Sequence, residues 1–188
     1  MRIMGLDLSM SATGVAFPDG STAVIKPRGE GDARLLSIER QANAAVRLAR
    51  PDLAVVEQFG GEFKGAAARA IPMVHATFRL VLMRAGIPYV LLTPQTLKTF
   101  ATGRHTADKT AMTLAAFKRM DREFTDDNEC DAAWLRAAGL YAYGEPVVDL
   151  PKAHTDVLRK VAWPTLPGAS PVLAPPDAPT RRRRKAAA

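Results

Sequence analysis

Four acidic positions lie far apart in the chain, each in a setting that would bring it to a shared point. Asp7 sits in the apolar run Ile3-Met4-Gly5-Leu6-Asp7-Leu8, and Glu57 ends a second, Leu53-Ala54-Val55-Val56-Glu57. Asp127 and Asp131 fall in Asp126-Asp127-Asn128-Glu129-Cys130-Asp131-Ala132-Ala133-Trp134-Leu135, which reads as the start of a helix. A carboxylate inside an apolar strand costs several kcal/mol unless a cation or hydrogen-bond donors compensate it. Two strand-embedded carboxylates and a helical acidic pair therefore point to a divalent-metal site. Oxygen donors without cysteine or histidine suit Mg²⁺ and suit zinc poorly.

The elements that must position these groups follow from periodicity. Residues 3–9, 13–17 and 21–26 read as short strands divided by the turn chemistry of Ser9–Ala12 and Pro18–Ser21, and strands joined so closely run antiparallel. Leu35, Leu36, Ile38, Ala42, Ala45, Val46 and Leu48 recur at helical spacing over 32–49, and Pro51 stops that helix. Residues 53–57 and 88–92 are continuous apolar strands, the pattern of strands buried on both faces. Helices are expected over 65–85, 94–101, 107–120 and 128–142. This order predicts an α/β fold, a five-stranded mixed sheet flanked by helices. Its first strand is central, and a right-handed crossover sets the fourth beside it, bringing Asp7 next to Glu57. Eight of the fourteen prolines follow residue 145, so residues 1–144 are read as one domain and 145–188 as a Pro-rich arm with a disordered basic tail.

The chain has 188 residues, of which 47% are hydrophobic, enough for one α/β domain with a substantial core. No run of 18 apolar residues occurs, so no membrane span is expected. Asp7 in the first strand argues against a signal peptide. The single cysteine, Cys130, forms no internal disulfide and fits a reducing cytoplasm. A net charge of +7, much of it in Arg181-Arg182-Arg183-Arg184-Lys185, suggests a polyanionic partner. No phosphate-binding glycine loop is present, so no nucleotide cofactor is expected.

Gly5-Leu6-Asp7-Leu8-Ser9, Thr13-Gly14, Val56-Glu57-Gln58-Phe59, Leu97-Lys98, Gly103, Ala107-Asp108-Lys109 and Asn128-Glu129-Cys130-Asp131-Ala132 run in that order through residues 1–142. Together they resemble the RuvC-type Holliday-junction resolvases of the ribonuclease-H-like superfamily. The acidic stretch is similar to that of phage-encoded members, which would place the chain in a host cytoplasm. The resemblance implies a ribonuclease-H-like sheet and a homodimer that cuts branched DNA with paired nicks. It also implies two-metal phosphodiester hydrolysis with Mg²⁺, Mn²⁺ substituting. Asp7 would bridge two ions, with Glu57 on one and Asp131 on the other. The family's remaining ligand falls on Asn128, which adds no negative charge. Asp127, four residues before Asp131 and on the same helical face, is the alternative. Asp126 and Asp127 also read as ordinary helix caps. Leu8-Ser9 stands where classical members carry Pro-Gly.

The resemblance also makes Lys98 and Lys109 the functional lysines, turned toward one groove by the glycine between them, and Lys109 a catalytic group against the scissile phosphate. Arg104, Lys64 and Arg69 are further candidates for phosphate contact, against the alternative of solvated surface charges. Phe59 is either an aromatic wedge that stacks on a base or the seal of a strand end. His75 reads as a packed helix residue, and the apolar stripe of helix 65–85 as a dimer face or a sheet-packing face. Two other functions remain open, a junction-binding protein that does not cut and, less favoured, an actin-like ATPase fragment.

Five contiguous cations on a Pro-rich tether sit on phosphates outside a catalytic groove. Each phosphate neutralised steepens the salt dependence of duplex binding by about 0.9. Removing residues 180–188 is expected to weaken binding to four-way and linear DNA alike and to flatten the salt slope, measured by titration at several salt concentrations. Loss of junction preference with an unchanged slope would make the tail a recognition element.

Overall fold

The computed structural model describes residues 1–59 and 66–173, the side chains of 66–69 excepted. Five strands, β1 (Ile3–Asp7), β2 (Thr13–Ala16), β3 (Thr22–Ile25), β4 (Leu53–Glu57) and β5 (Tyr89–Leu92), form one sheet in the order β3-β2-β1-β4-β5. The β1–β2 and β2–β3 pairs are antiparallel, and β1–β4 and β4–β5 are parallel. The expected central position of β1 and its pairing with β4 are both found.

Helices cover both faces because alternate strand residues point opposite ways. Met4, Leu6, Ala54 and Val56 pack with Ile38, Ala42 and Val46 of α1 (Gly31–Ala49) and with Val74, Phe78 and Leu82 of α2 (Ala66–Arg84). Ile3, Leu53 and Val55 face the other core. That core holds Leu97 and Phe100 of α3 (Pro94–Thr102), Met112 and Ala116 of α4 (Lys109–Met120), and Trp134 and Leu135 of α5 (Asp127–Ala142). By the same alternation, Asp7 and Glu57 belong to the α5 face. Leu6 pairs with Val56, so the next step along the parallel register sets Asp7 beside Glu57.

The arm expected beyond residue 144 is, through residue 173, part of the fold. Leu150, Leu158, Leu166 and Leu173 are buried in the same core as Trp134. The short helix α6 (Lys152–Thr155) and the 3₁₀ turn Asp156–Lys160 lie along α3. The Phe100 carbonyl accepts from Nδ1 of buried His154 at 3.1 Å, satisfying one of the free carbonyls at the α3 C-terminus. Proline density hides this packing from a periodicity argument, because widely spaced leucines carry the burial. The basic run 181–185 lies outside the described residues. Among the described residues no helix is long and apolar enough to cross a membrane.

The docking of α5 leaves no room for side chains beneath it. A Cβ at Gly5 would collide with the Ala132 carbonyl oxygen, and one at Gly14 with that of Asn128. At Gly139 a Cβ would come within 2.7 Å of Ile3 and 2.8 Å of Val55. Overpacking a well-packed core costs about 1–3 kcal/mol. Here the obstacle is helix backbone at Gly5 and Gly14, so Gly5→Ala or Gly14→Ala is expected to cost about 3 kcal/mol or more by that standard. Urea unfolding checks this, and a loss below about 1 kcal/mol would show that α5 is free to shift.

Candidate active site

Each site residue is delivered by a terminus. Asp7 and Glu57 end β1 and β4, where the parallel strands stop and the sheet opens toward the start of α5. Asp126 caps α5, its Oδ1 accepting from the backbone N–H of Asn128 at 2.9 Å and of Glu129 at 3.4 Å. Asn128 turns its amide into the same cap, Nδ2 donating to Asp126 Oδ1 at 2.9 Å, while its backbone presses on Gly14. Glu129 faces away and accepts from Thr22 Oγ1 at 2.8 Å. The capping role is therefore taken by Asp126. Asp127 and Asp131, one turn apart, share a face of α5.

That face lines a groove of about 210 Å³ with Glu57, Pro94, Lys98, Lys109, Met112, Thr113, Asp127, Cys130 and Asp131. Asp7 lies beside it, buried, with Glu57 in side-chain hydrogen-bonding reach. Asn128 does not line the groove. Pro94, Met112 and Thr113 are wall residues that no motif announced, and Cys130, inside the helical motif, completes the wall. Cys130 is buried against Trp134 and its thiol is pushed up to about 12, chiefly by burial and then by Asp131 and Asp127, which leaves it an inert wall group.

Lys98 follows the Thr93 cap of α3, and Lys109 opens α4 after its Asp108 cap. The turn between them runs through Gly103 at φ 79, as its role at the helix end requires. Lys109 Nζ donates to Asp127 Oδ2 at 2.7 Å. Arg104 and His105 are exposed on this turn and stand outside the groove lining. Phe59, 42% exposed, sits past the end of β4 with its ring 4.9 Å from that of His75, edge to face. His75 is packed as expected, and burial and then Arg79 hold its imidazole down to about 4. Lys64 and the side chain of Arg69 lie outside the described residues.

The electrostatics are those of carboxyls buried side by side. Burial, then the neighbouring acids, raises Glu57 to about 9 and Asp131 to about 7. Burial raises Asp7 to about 6, partly offset by the Glu57 hydrogen bond and Lys109. Among the described residues, no three His, Cys, Asp or Glu groups close on one point as metal ligands. The donor set is nonetheless all hard oxygen, and each carboxylate gains by a nearby cation.

Because these carboxyls titrate near about 4 when unfolded, the folded chain binds more protons than the unfolded one from there up to about pH 9. Stability is then highest below that window and falls as pH rises through it. Thermal melts in a chelator are expected to drop steadily from pH 5 to pH 9. Asp131→Asn is expected to flatten the drop and to melt above the wild type at pH 8. A flat wild-type profile would show that burial and neighbouring charge do not raise these acids.

No family model matches the chain. It is 29% identical over 159 residues to the crossover junction endodeoxyribonuclease RuvC of Synechococcus sp. strain RCC307, covering 76% of this chain and 98% of that protein. It is 30% identical over 144 residues to the RuvC of Salinispora arenicola strain CNS-205, covering 71% of this chain and 82% of that one. Its fold matches the T. thermophilus RuvC solved in complex with a Holliday junction substrate, with a TM-score of 0.62 and 16% identity over 72% of this chain and 90% of the other. With the ribonuclease-H-like sheet in place and this identity sustained over most of a relative's length, the chain belongs to the RuvC family of crossover junction endodeoxyribonucleases.

Proposed function

We propose that the chain is a divalent-metal-dependent endonuclease that resolves four-way and related branched DNA by paired nicks, working as a homodimer. The observation that carries this reading is one groove lined by Glu57, Asp127 and Asp131, with Asp7 beside it and Lys98 and Lys109 in its wall. Family membership and the junction-bound relative support the substrate.

Asp7, Glu57, Asp131 and Asp127 would hold the cations, Mg²⁺ with Mn²⁺ as a substitute. Bound there, such cations supply a hydroxide-like water and neutralise the leaving 3′-oxygen. The chain's own groups do the rest. The two lysines hold the backbone on either side of the cut as mobile point charges. Phe59, two residues past Glu57, offers a partly exposed ring beside His75, on which a base at the open junction centre stacks. The position of Asp127 in the groove supports it as the fourth ligand in place of Asn128, and with it cutting over binding alone.

Two symmetric nicks need two sites related by a two-fold axis. Met73, Leu80 and Met83 on α2 are exposed, as is Leu36 on α1, and they supply the apolar face for pairing.

Nicking of a synthetic four-way junction with Mg²⁺, beside linear duplex, tests the proposal. Asp7→Asn, Glu57→Gln and Asp131→Asn are each expected to abolish cleavage and to leave junction binding largely intact, since affinity comes mostly from phosphate contacts. Asp127→Ala is expected to lose activity and Asn128→Ala to keep most of it. Near-wild-type cutting by Asp7→Asn would remove the metal site, and equal mild effects at 127 and 128 would return both to capping.

A further inference from the structure

The groove already contains a cation of its own. Lys109 Nζ lies 2.7 Å from Asp127 Oδ2. Its charge also pulls down the pKa of Asp7 and of Asp131. Glu57 and Asp7, meanwhile, are in hydrogen-bonding reach of each other. In this arrangement Asp127 is paired with an ammonium at the helix start, and Asp7 and Glu57 stand side by side at the strand ends.

A divalent cation at the same acids weakens this ion pair. Asp127 Oδ2 offers its lone pairs to the ammonium or to the metal, and the ammonium charge opposes a cation drawn to the same carboxylate. The ion pair is the more easily displaced partner. The Lys109 side chain is 79% exposed and that of Asp127 42%, so water and salt screen their attraction. Displacement costs little motion, because lysine carries its charge on a flexible four-carbon stem. Lys109 is the first residue of α4, so its backbone stays capped by Asp108, which accepts from Ala111 N–H at 2.8 Å, while the side chain moves.

We infer that Lys109 and a divalent cation compete for Asp127, so that filling the metal site releases the Lys109 ammonium to the DNA backbone. This rests on the reading of the groove as a divalent site. The consequence is an ordered response. Without metal, the lysine is tied to its own protein and the acids repel phosphate. With metal, the acids are neutralised and one more cation is turned outward. Binding of metal and of DNA is thereby coupled through one side chain, and the coupling is reciprocal.

The test uses the full chain without DNA. Mn²⁺ affinity is measured by electron paramagnetic resonance for the wild type, Lys109→Met, Lys109→Arg, Lys118→Met and Asp7→Asn. Lys118 is an exposed cation in the last turn of the same helix and reports the effect of net charge alone. Lys109→Met is expected to bind Mn²⁺ about 5–10-fold more tightly than the wild type, the low end of ordinary coupling between sites. Lys109→Arg, which keeps the ion pair, and Lys118→Met are each expected to change it by less than about twofold on the same scale. In ¹⁵N spectra of the lysine ammonium groups, the Lys109 signal is expected to shift on addition of Mg²⁺. Unchanged or weaker Mn²⁺ binding by Lys109→Met overturns the competition while leaving the metal site standing, provided Asp7→Asn still loses the ion. Equal tightening by Lys118→Met and Lys109→Met reduces the effect to net charge and overturns it too. A wild type that binds no Mn²⁺ sinks the metal site and the competition together.

Discussion

The close seat of α5 on the sheet is the constraint on which the rest depends. Helix backbone meets strand backbone at Gly5 and Gly14, where any side chain would collide with the Ala132 or Asn128 carbonyl. Gly139 repeats the condition further along the helix, against Ile3 and Val55. Asn128, Ala132, Arg136 and Gly139 fall on one stripe at helical spacing, so the contact sets both the height and the rotation of the helix. Asp131 then has only one place to be, beside the strand ends that carry Asp7 and Glu57. With a larger residue at either strand glycine, the helix would ride higher and the acids would separate.

What that seat creates is electrostatically costly. Three carboxyls are driven above their ordinary range by burial; neighbouring acids add to this at Glu57 and Asp131, whereas the Glu57 hydrogen bond and Lys109 offset it at Asp7. The fold tolerates this because the apolar cores on both sides of the sheet are large and because the lysines approach from α3 and α4. Perturbed acids gathered in a groove mark a functional site more often than a structural accident. On the proposed function the cost has a purpose, since a cation held by the folded chain and not by the unfolded one would recover it.

Helices α3 and α4 owe their positions partly to a segment without family motifs. The ring of His154 lies against Gly103, where an added Cβ would come within 2.6 Å of Nε2, and it takes up a carbonyl at the end of α3. Leu158 and Leu166 extend the same core beneath it. The turn that separates the two lysines is thus braced by the C-terminal segment.

The strands and their order were legible because two-residue alternation and run length are local properties. Asp7 and Glu57 could be assigned to neighbouring strands from the crossover rule alone. The family motifs were readable for the same reason, being short and in fixed order. By contrast, the roles of Asp126, Asp127 and Asn128 were not readable, since all three are ordinary residues for a helix start. Only the docked helix decided among them: Asp126 caps, Asn128 presses on Gly14, and Asp127 turns to the groove. The packing of residues 145–173 was not legible on similar grounds, as proline density is a local signal and burial of Leu150 or Leu158 is not. The pairing of Phe59 with His75 joins a strand end to a helix sixteen residues on, a contact that no spacing rule contains. Sequence by itself determined which residue types were available and which strands carry them. Tertiary structure decided which of them meet, because that depends on the rotation and height of one helix over two glycines.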